Sequence, residues 1–122
     1  MKVAVGGQID KQKIADMVQS VCNGQVEVSV DNDIQAAMQV KNGQADIYIG
    51  ACNTGGGGAL SMAIALLGMD KCTTLSMPGS LKTEEEILAD VNAGKIAFGF
   101  TAQSVDDIVP VLMRALLGKY GR

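Results

Sequence analysis

The chain contains no histidine among its 122 residues. This absence excludes a Ser-His-Asp triad, a Cys-His pair and any histidine-ligated metal. The three cysteines, Cys22, Cys52 and Cys72, are odd in number and form no Cys-x-x-Cys pair. A disulfide framework or a zinc site is therefore not predicted, and no metal site is assigned. The sequence leaves any cofactor unidentified.

Aromatic and basic residues are also scarce. The chain has two Tyr, two Phe and no Trp, and its net charge is −3 with no cluster of Lys or Arg. Single-stranded nucleic acid is usually bound on stacked aromatic rings, and duplexes are bound by basic patches. We therefore predict that nucleic acid is not a partner.

Long apolar runs are absent as well. The longest, residues 59–68, is interrupted by Ser61 and is far shorter than a membrane span. The opening Lys2-Val3-Ala4-Val5-Gly6 resembles a strand and not a secretory segment. With 48% hydrophobic residues the chain can bury a core. We predict a single domain over residues 1–122, located in the cytoplasm, with no membrane insertion.

Five short β-rich runs alternate with helical patterns along the chain. The predicted strands are residues 2–6, 26–30, 45–50, 72–77 and 96–100, and helical periodicity covers residues 9–21, 32–41 and 59–67. Thr83-Glu84-Glu85-Glu86 has the pattern of a capping box at the start of a fourth helix. A fifth helix runs to about Leu117, and Pro110 is tolerated in it if the helix begins near Asp106 or Asp107.

This alternation predicts an α/β fold of three layers, α/β/α, with a five-stranded parallel sheet and right-handed crossovers. The flavodoxin-like strand order 2-1-3-4-5 is the commonest for such a chain, and its switch point lies between strands 1 and 3. The loops after these strands are Gly6-Gly7-Gln8 and residues 51–58. The two most glycine-rich turns are therefore expected to face each other where such folds bind ligands.

The turn Cys52-Asn53-Thr54-Gly55-Gly56-Gly57-Gly58 is the most distinctive segment of the chain. Glycines in regular structure cost about 0.5–1 kcal/mol each relative to alanine, so something must favour them. A turn that leads into a helix presents unpaired N–H groups to phosphate or carboxylate. The alternative is that the glycines only allow the next helix to pack tightly on the sheet or on a second subunit. The predicted ligand-binding residues are Gly7, Gln8, Asn53, Thr54, Gly55, Gly56, Gly57 and Gly58.

Cys52 is a candidate catalytic residue, because a thiol near a helix N-terminus can have a lowered pKa. The segment Ala51-Cys52-Asn53-Thr54-Gly55 resembles the phosphocysteine loop of enzyme IIB subunits of sugar phosphotransferase systems. In that family the loop follows the first strand, whereas here it follows the third. The alternative is that Cys52 is a small core residue.

Three other segments are further candidates for site residues. Met77-Pro78-Gly79-Ser80 and Thr101-Ala102-Gln103-Ser104 end at the same predicted sheet edge and either line a site or are ordinary connections. Asp31-Asn32-Asp33 after strand 2 is most simply interpreted as a helix N-cap cluster.

Over essentially its full length the chain resembles a YhfU-like family of small bacterial proteins of unassigned function. The resemblance lies in Lys2-Val3-Ala4-Val5-Gly6-Gly7, in Ala45-Asp46-Ile47-Tyr48-Ile49-Gly50 and above all in residues 52–60. It implies bacterial origin and a cytoplasmic location, and it implies nothing about a substrate.

Three hypotheses of function remain open at this point. The first is a homo-oligomeric module that binds a small phosphate- or carboxylate-bearing metabolite on the glycine-rich turn. The second is an enzyme or phosphocysteine group carrier that uses Cys52. The third is a structural subunit of an assembly, with the glycine-rich turn at a protein interface.

Overall fold

The computed structural model describes residues 1–53 and 56–120. In that part of the chain the strands are β1 Lys2–Gly7, β2 Glu27–Val30, β3 Ile47–Cys52, β4 Cys72–Thr74, β5 Ser76–Met77, β6 Ser80–Leu81 and β7 Ala97–Thr101. The α-helices are α1 Lys11–Val21, α2 Asp33–Lys41, α3 Gly56–Leu67, α4 Glu84–Asn92 and α5 Val105–Tyr120. No helix in these residues is long and apolar enough to cross a membrane.

Five strands form one parallel sheet in the order β2-β1-β3-β7-β4. The three-layer α/β architecture is confirmed, and so is the placement of strand 1 between strands 2 and 3. The predicted order 2-1-3-4-5 is wrong for the last two strands, which are exchanged. All five residues of β7 are buried, whereas β4 has three residues, of which Thr73 and Thr74 are half-buried. The fully buried β7 therefore takes an interior position between β3 and β4, and the shorter β4 takes the edge.

The exchange changes the face on which the fourth helix lies. From β4 the chain returns towards the centre of the sheet to form β7, and a right-handed crossover in that direction puts α4 on the same face as α1. The helix contacts agree, because α5 packs against both α1 and α4, while α2 packs against α3.

Residues of different size cover the two faces of the sheet. The large-residue face lies under α1, α4 and α5 and presents Val3, Val5, Ile47, Ile49, Phe98 and Phe100. The small-residue face lies under α2 and α3 and presents Ala4, Gly6, Tyr48, Gly50, Ala97 and Gly99. Large and small residues thus alternate with the period of two that a pleated strand requires.

The segment between β4 and α4 differs from the prediction. The predicted strand over residues 72–77 ends at Thr74, and β5 pairs with β6 in a small antiparallel hairpin whose turn contains Gly79 at φ +78°. The capping box before α4 is confirmed, because Thr83 Oγ1 accepts from the Glu86 N–H at 3.2 Å and Glu86 Oε1 accepts from the Thr83 N–H at 2.9 Å. Pro110 is the sixth residue of α5, one or two residues deeper than predicted.

Candidate ligand-binding site

The carboxyl ends of β1 and β3 lie side by side. Their parallel register pairs Gly6 with Gly50 and Gly7 with Ala51. Helices α1 and α3 leave these strand ends towards opposite faces of the sheet, as at a switch point. The predicted juxtaposition of the two glycine-rich turns is thereby present in the fold.

Gly7 is required at its position for two reasons. It has φ +80°, and a Cβ built on it would lie 2.5 Å from the Ala51 nitrogen and 2.8 Å from the Ala51 oxygen. After Gly7 the chain turns, and the Gln8 N–H donates to the Ala51 carbonyl oxygen at 2.9 Å. Any side chain at position 7 would therefore break the contact between the two strand ends.

The side chain of Gln8 lies beside the first turn of α3. A Cβ built on Gly58 would be 2.9 Å from Gln8 Oε1 and 3.0 Å from Nε2. Helix α3 begins at Gly56, three residues earlier than the periodicity predicted. The first turn of a helix has N–H groups without intrahelical acceptors, so Gln8 lies next to such groups. Asn53 is exposed, and Thr54 and Gly55 fall outside the described residues.

Cys52 is the last residue of β3 and is only 1% exposed. Its register partner is Thr101 at the end of β7. Cys22 and Cys72 are buried as well, and burial raises the pKa of both thiols. The Cys72 thiol donates to the Gly68 carbonyl oxygen at 3.4 Å.

Tyr48 was not among the predicted site residues. Its side chain is fully buried on the small-residue face, and its hydroxyl donates to the Ala59 carbonyl oxygen at 2.5 Å. The same hydroxyl accepts from the Gly7 N–H at 3.1 Å. Burial, together with the negative charge of Asp33, raises the pKa of Tyr48. The hydroxyl therefore remains protonated and links the end of β1 to α3.

Asp33 is the second residue that sequence reasoning did not select. The N-cap interpretation of its segment is correct for Asn32, whose Oδ1 accepts from the Gln35 N–H at 2.9 Å. Asp33 itself begins α2, and its Oδ1 is buried without a hydrogen-bond partner among residues 1–53 and 56–120. Burial raises the pKa of Asp33, and the nearby Gly7 amide, Lys11 charge and Tyr48 hydroxyl partly oppose that rise.

Gly7 and Asp33 border a cavity of about 270 Å³. Its lining comprises Gly7, Lys11, Asn32, Asp33, Ile34 and Met62. The cavity therefore adjoins the end of β1, the first residues of α1 and α2, and one side of α3. Of the predicted ligand-binding residues, Gly7 lines it. Of the other lining residues, Asp33 could have been predicted from the sequence, because it follows β2, the strand predicted to lie next to β1.

A second cavity of about 430 Å³ lies at the same edge of the sheet, and its lining includes Met77–Leu81, Thr101, Gln103 and Ser104. The segments Met77–Ser80 and Thr101–Ser104, which the sequence predicted to end at the same edge of the sheet, therefore line one cavity. Below this cavity the Thr101 hydroxyl is within hydrogen-bond distance of the Ser76 hydroxyl, at 3.1 Å, and of the Ser104 hydroxyl, at 3.0 Å. These bonds fix the end of β7 to the β5–β6 hairpin.

No group of three or more Cys, Asp or Glu that could hold a metal occurs in the part of the chain that the structure describes. The charged groups beside the 270 Å³ cavity are one lysine and one aspartate. The described lining therefore combines one positive and one negative charge with polar and apolar groups.

The fold is similar to that of a protein whose crystal structure has been determined. The crystal structure of ribose-5-phosphate isomerase B (RpiB) from Giardia lamblia matches with a TM-score of 0.70 and 19% sequence identity, over 96% of this chain and 94% of that one. At this level of identity the similarity concerns the fold alone.

Sequence comparisons give a second result. The chain is 42% identical over 115 residues to the uncharacterized protein YhfU of Escherichia coli strain K12 and to that of Shigella flexneri, covering 94% of this chain and 97% of each relative. The model of the family described as "Protein of unknown function DUF2620" matches residues 1–116. The predicted YhfU-like resemblance is confirmed, and the chain belongs to the DUF2620 family.

Proposed function

We propose that this protein binds a small phosphate-bearing metabolite at the carboxyl ends of β1 and β3. The observation on which the proposal depends is the cavity of about 270 Å³ lined by Gly7, Lys11 and Asp33. Its volume lies just below the roughly 300–1,000 Å³ typical of small-molecule pockets. A carboxylate-bearing ligand would use the same features and is included in the test below.

Two features favour an anionic group in this cavity. Lys11 is the first residue of α1 and contributes a positive charge to the lining. The N-termini of α1 and α2 border the cavity, and helix N-termini favour anions through their unpaired N–H groups and their dipoles. Gly7 has no side chain, so a ligand can approach the backbone closely at this point.

The glycine-rich turn, which follows the neighbouring strand β3, supports the same proposal. Helix α3 begins at Gly56, and glycines in its first turn leave the N–H groups without shielding side chains. Gln8, which lies against Gly58, supplies a carboxamide for a ligand oxygen. The name of the structural neighbour identifies an enzyme of a sugar phosphate, so ribose 5-phosphate is the first compound to test.

The test is a thermal-shift panel of inorganic phosphate, ribose 5-phosphate, other sugar phosphates, dicarboxylates and unphosphorylated sugars. We expect at least one phosphorylated compound to raise the melting temperature and its unphosphorylated counterpart to have no effect. Lys11→Gln should reduce the shift, whereas Lys41→Gln, the same charge change at the exposed end of α2, should leave it unchanged.

Gly56→Val addresses the glycine-rich turn, and Gly118→Val, at an exposed position in α5 with no heavy atom within 4 Å of the added Cβ, is its control. Loss of the shift in Gly56→Val alone would support binding at the start of α3. A panel without any stabilising anion would contradict the proposed function.

An enzyme or group carrier that uses Cys52 is the second candidate. The position of Cys52 at the end of β3, next to the strand end that borders the cavity, favours it. Iodoacetamide labelling of the native protein, measured for each cysteine by mass spectrometry, tests this candidate, which requires Cys52 to be modified before Cys22 and Cys72 although all three thiols are buried. If Cys52 is labelled only after unfolding, it is a packing residue and this candidate is wrong.

Assembly into a homo-oligomer is also proposed, either as an addition to ligand binding or as the main role. Two apolar side chains of the β5–β6 hairpin favour it, since Met77 is 53% and Leu81 49% exposed. Light scattering coupled to gel filtration should give a mass that is a multiple of 12.7 kDa. A monomeric mass at micromolar concentration would contradict this proposal.

A further inference from the structure

We propose that Asp33 is a ligand-binding residue that accepts a hydrogen bond from a hydroxyl group, so that the cavity selects hydroxylated phosphates over simple ones. The inference rests on the proposed function and specifies its ligand class. It begins from the carboxylate, which is half-buried, lines the 270 Å³ cavity and has one oxygen enclosed without a hydrogen-bond partner in the described residues.

A buried carboxylate oxygen without a partner is uncommon, because the group loses its water without gaining a hydrogen bond. The Gly7 amide and the Tyr48 hydroxyl near Asp33 reduce this deficit only in part, because their protons are directed to other acceptors. The Tyr48 hydroxyl donates its proton to the Ala59 carbonyl, and the Gly7 N–H donates to Tyr48. The terminal torsion of aspartate is soft and two-fold, so the carboxylate can turn either oxygen to the cavity. A donor on a bound ligand would bond the carboxylate oxygen that faces the cavity and would compensate part of the solvation that the carboxylate has lost.

The charges beside the cavity indicate which donor this is. A simple anion bound near Lys11 is repelled by the carboxylate of Asp33, whereas a hydroxylated anion can offer an O–H to it. An ammonium group would also donate to Asp33, but it would lie in the same cavity as the like charge of Lys11. A molecule with a phosphate at one end and hydroxyl groups at the other matches both residues.

The arrangement also provides selectivity. A site built to hydrogen-bond a hydroxyl group rejects an analogue without it, because the protein group is then left buried and unpaired. Helix α2 fixes the aspartate, since Asp33 is its first residue and Asn32 caps it. The carboxylate is thus held at the cavity wall by regular secondary structure.

The experiment compares glycerol 3-phosphate with n-propyl phosphate, which has the same number of carbons and lacks the hydroxyl groups. Dissociation constants are measured by ³¹P NMR titration of the full chain. We expect the wild-type protein to prefer glycerol 3-phosphate by about tenfold or more, as for a hydrogen bond to a charged group. In Asp33→Ala the ratio of the two constants should fall to near one. The ratio cancels the general loss of negative charge, which affects both compounds equally.

Asp107→Ala is the matched control, because Asp107 is also an acidic residue in the first turn of a helix but is exposed. It should retain the wild-type ratio. If Asp33→Ala does not fold, Asp33→Asn replaces it. A neutral amide oxygen accepts a weaker hydrogen bond than a carboxylate, so the preference for glycerol 3-phosphate should still fall several-fold. O-phosphoethanolamine completes the panel and should bind more weakly than glycerol 3-phosphate.

The outcomes separate this inference from the proposed function. If the wild type binds both three-carbon phosphates equally, or if Asp33→Ala keeps the preference, the role of Asp33 is wrong and phosphate binding stands. If O-phosphoethanolamine binds best through Asp33, the hydroxyl assignment is wrong. If none of the phosphates binds, the proposed function fails and this inference fails with it.

Discussion

The two faces of the central sheet are packed in different ways. On the large-residue face, Val, Ile and Phe side chains fill the space beneath α1, α4 and α5. On the small-residue face, Ala and Gly lie beneath α2 and α3, and Tyr48 is the one large side chain that the named strand residues contribute there. Asp33, which lines the 270 Å³ cavity, and the Tyr48 hydroxyl belong to the second face, whereas Lys11, which also lines the cavity, belongs to α1 on the first face.

This difference separates stability from the candidate function. The large-residue face removes much apolar surface from water, and this is the main favourable contribution to folding. The small-residue face lets helices approach the sheet closely, so a tyrosine hydroxyl on β3 can reach the backbone of both Gly7 and Ala59. We infer that one face mainly stabilises the fold and that the other positions the cavity.

Phe98→Ala should give the largest effect. The side chain is fully buried on the large-residue face, on the interior strand β7, so its removal leaves a cavity. We expect a loss of about 3–5 kcal/mol in the free energy of unfolding. Urea denaturation followed by circular dichroism measures this loss. Leu81→Ala, at a half-exposed position of the hairpin, is the control and should cost less than about 1 kcal/mol.

An increase in side-chain volume should be destabilising on the small-residue face. A Cβ built on Gly99 would lie 2.6 Å from Cγ of Leu60, a residue buried in α3. Gly99→Ala should therefore cost about 1–3 kcal/mol through overpacking. Gly118→Ala, where the added Cβ meets no atom within 4 Å, should instead stabilise α5 by about 0.5–1 kcal/mol. Equal effects of the two changes would show that the small-residue face is not closely packed.

The two tyrosines provide a comparison of a buried and an exposed hydroxyl. Tyr48→Phe removes the acceptor of the Gly7 N–H and a donor to the Ala59 carbonyl, and we expect a loss of about 1.5 kcal/mol. Tyr120 is 37% exposed, so Tyr120→Phe should change stability by less than about 0.5 kcal/mol. Chemical denaturation of both variants tests this. If Tyr48→Phe has the same free energy of unfolding as the wild type, the hydroxyl does not hold β1 to α3.

Asp33→Asn should produce the smallest change, and it should be stabilising at neutral pH. Burial raises the pKa of Asp33, so the folded state binds the proton more tightly than the unfolded state. Stability is therefore lost as the pH rises from the unfolded pKa through the folded one, and it stays low above both values. Removing the buried charge should raise the free energy of unfolding at pH 7 relative to Asp107→Asn, and the advantage should vanish at a pH below the unfolded pKa. A constant difference at both pH values would contradict the assigned cause.

Much of the fold was predictable because the patterns were local. The Thr83–Glu86 capping box and the short β-rich runs each depend on neighbouring residues, and each is present in the structure, although the strand predicted over residues 72–77 ends at Thr74. The approach of Gly7 to the end of β3 followed from the first three strands of the predicted order. The order of the last two strands was not local, because it depends on which strand buries more surface once all five are present.

The candidate site divides in the same way. The sequence by itself determined the glycine-rich turns, the absence of histidine chemistry and the family. The tertiary structure alone brought Asp33 and Tyr48 to the end of β1, residues that are 15 positions apart in the chain and whose roles no local pattern indicates. Only the pairing of β1 with both β2 and β3 places α2 and Tyr48 beside Gly7. Only burial in that pairing leaves a carboxylate oxygen of Asp33 without a partner among the residues that the structure describes.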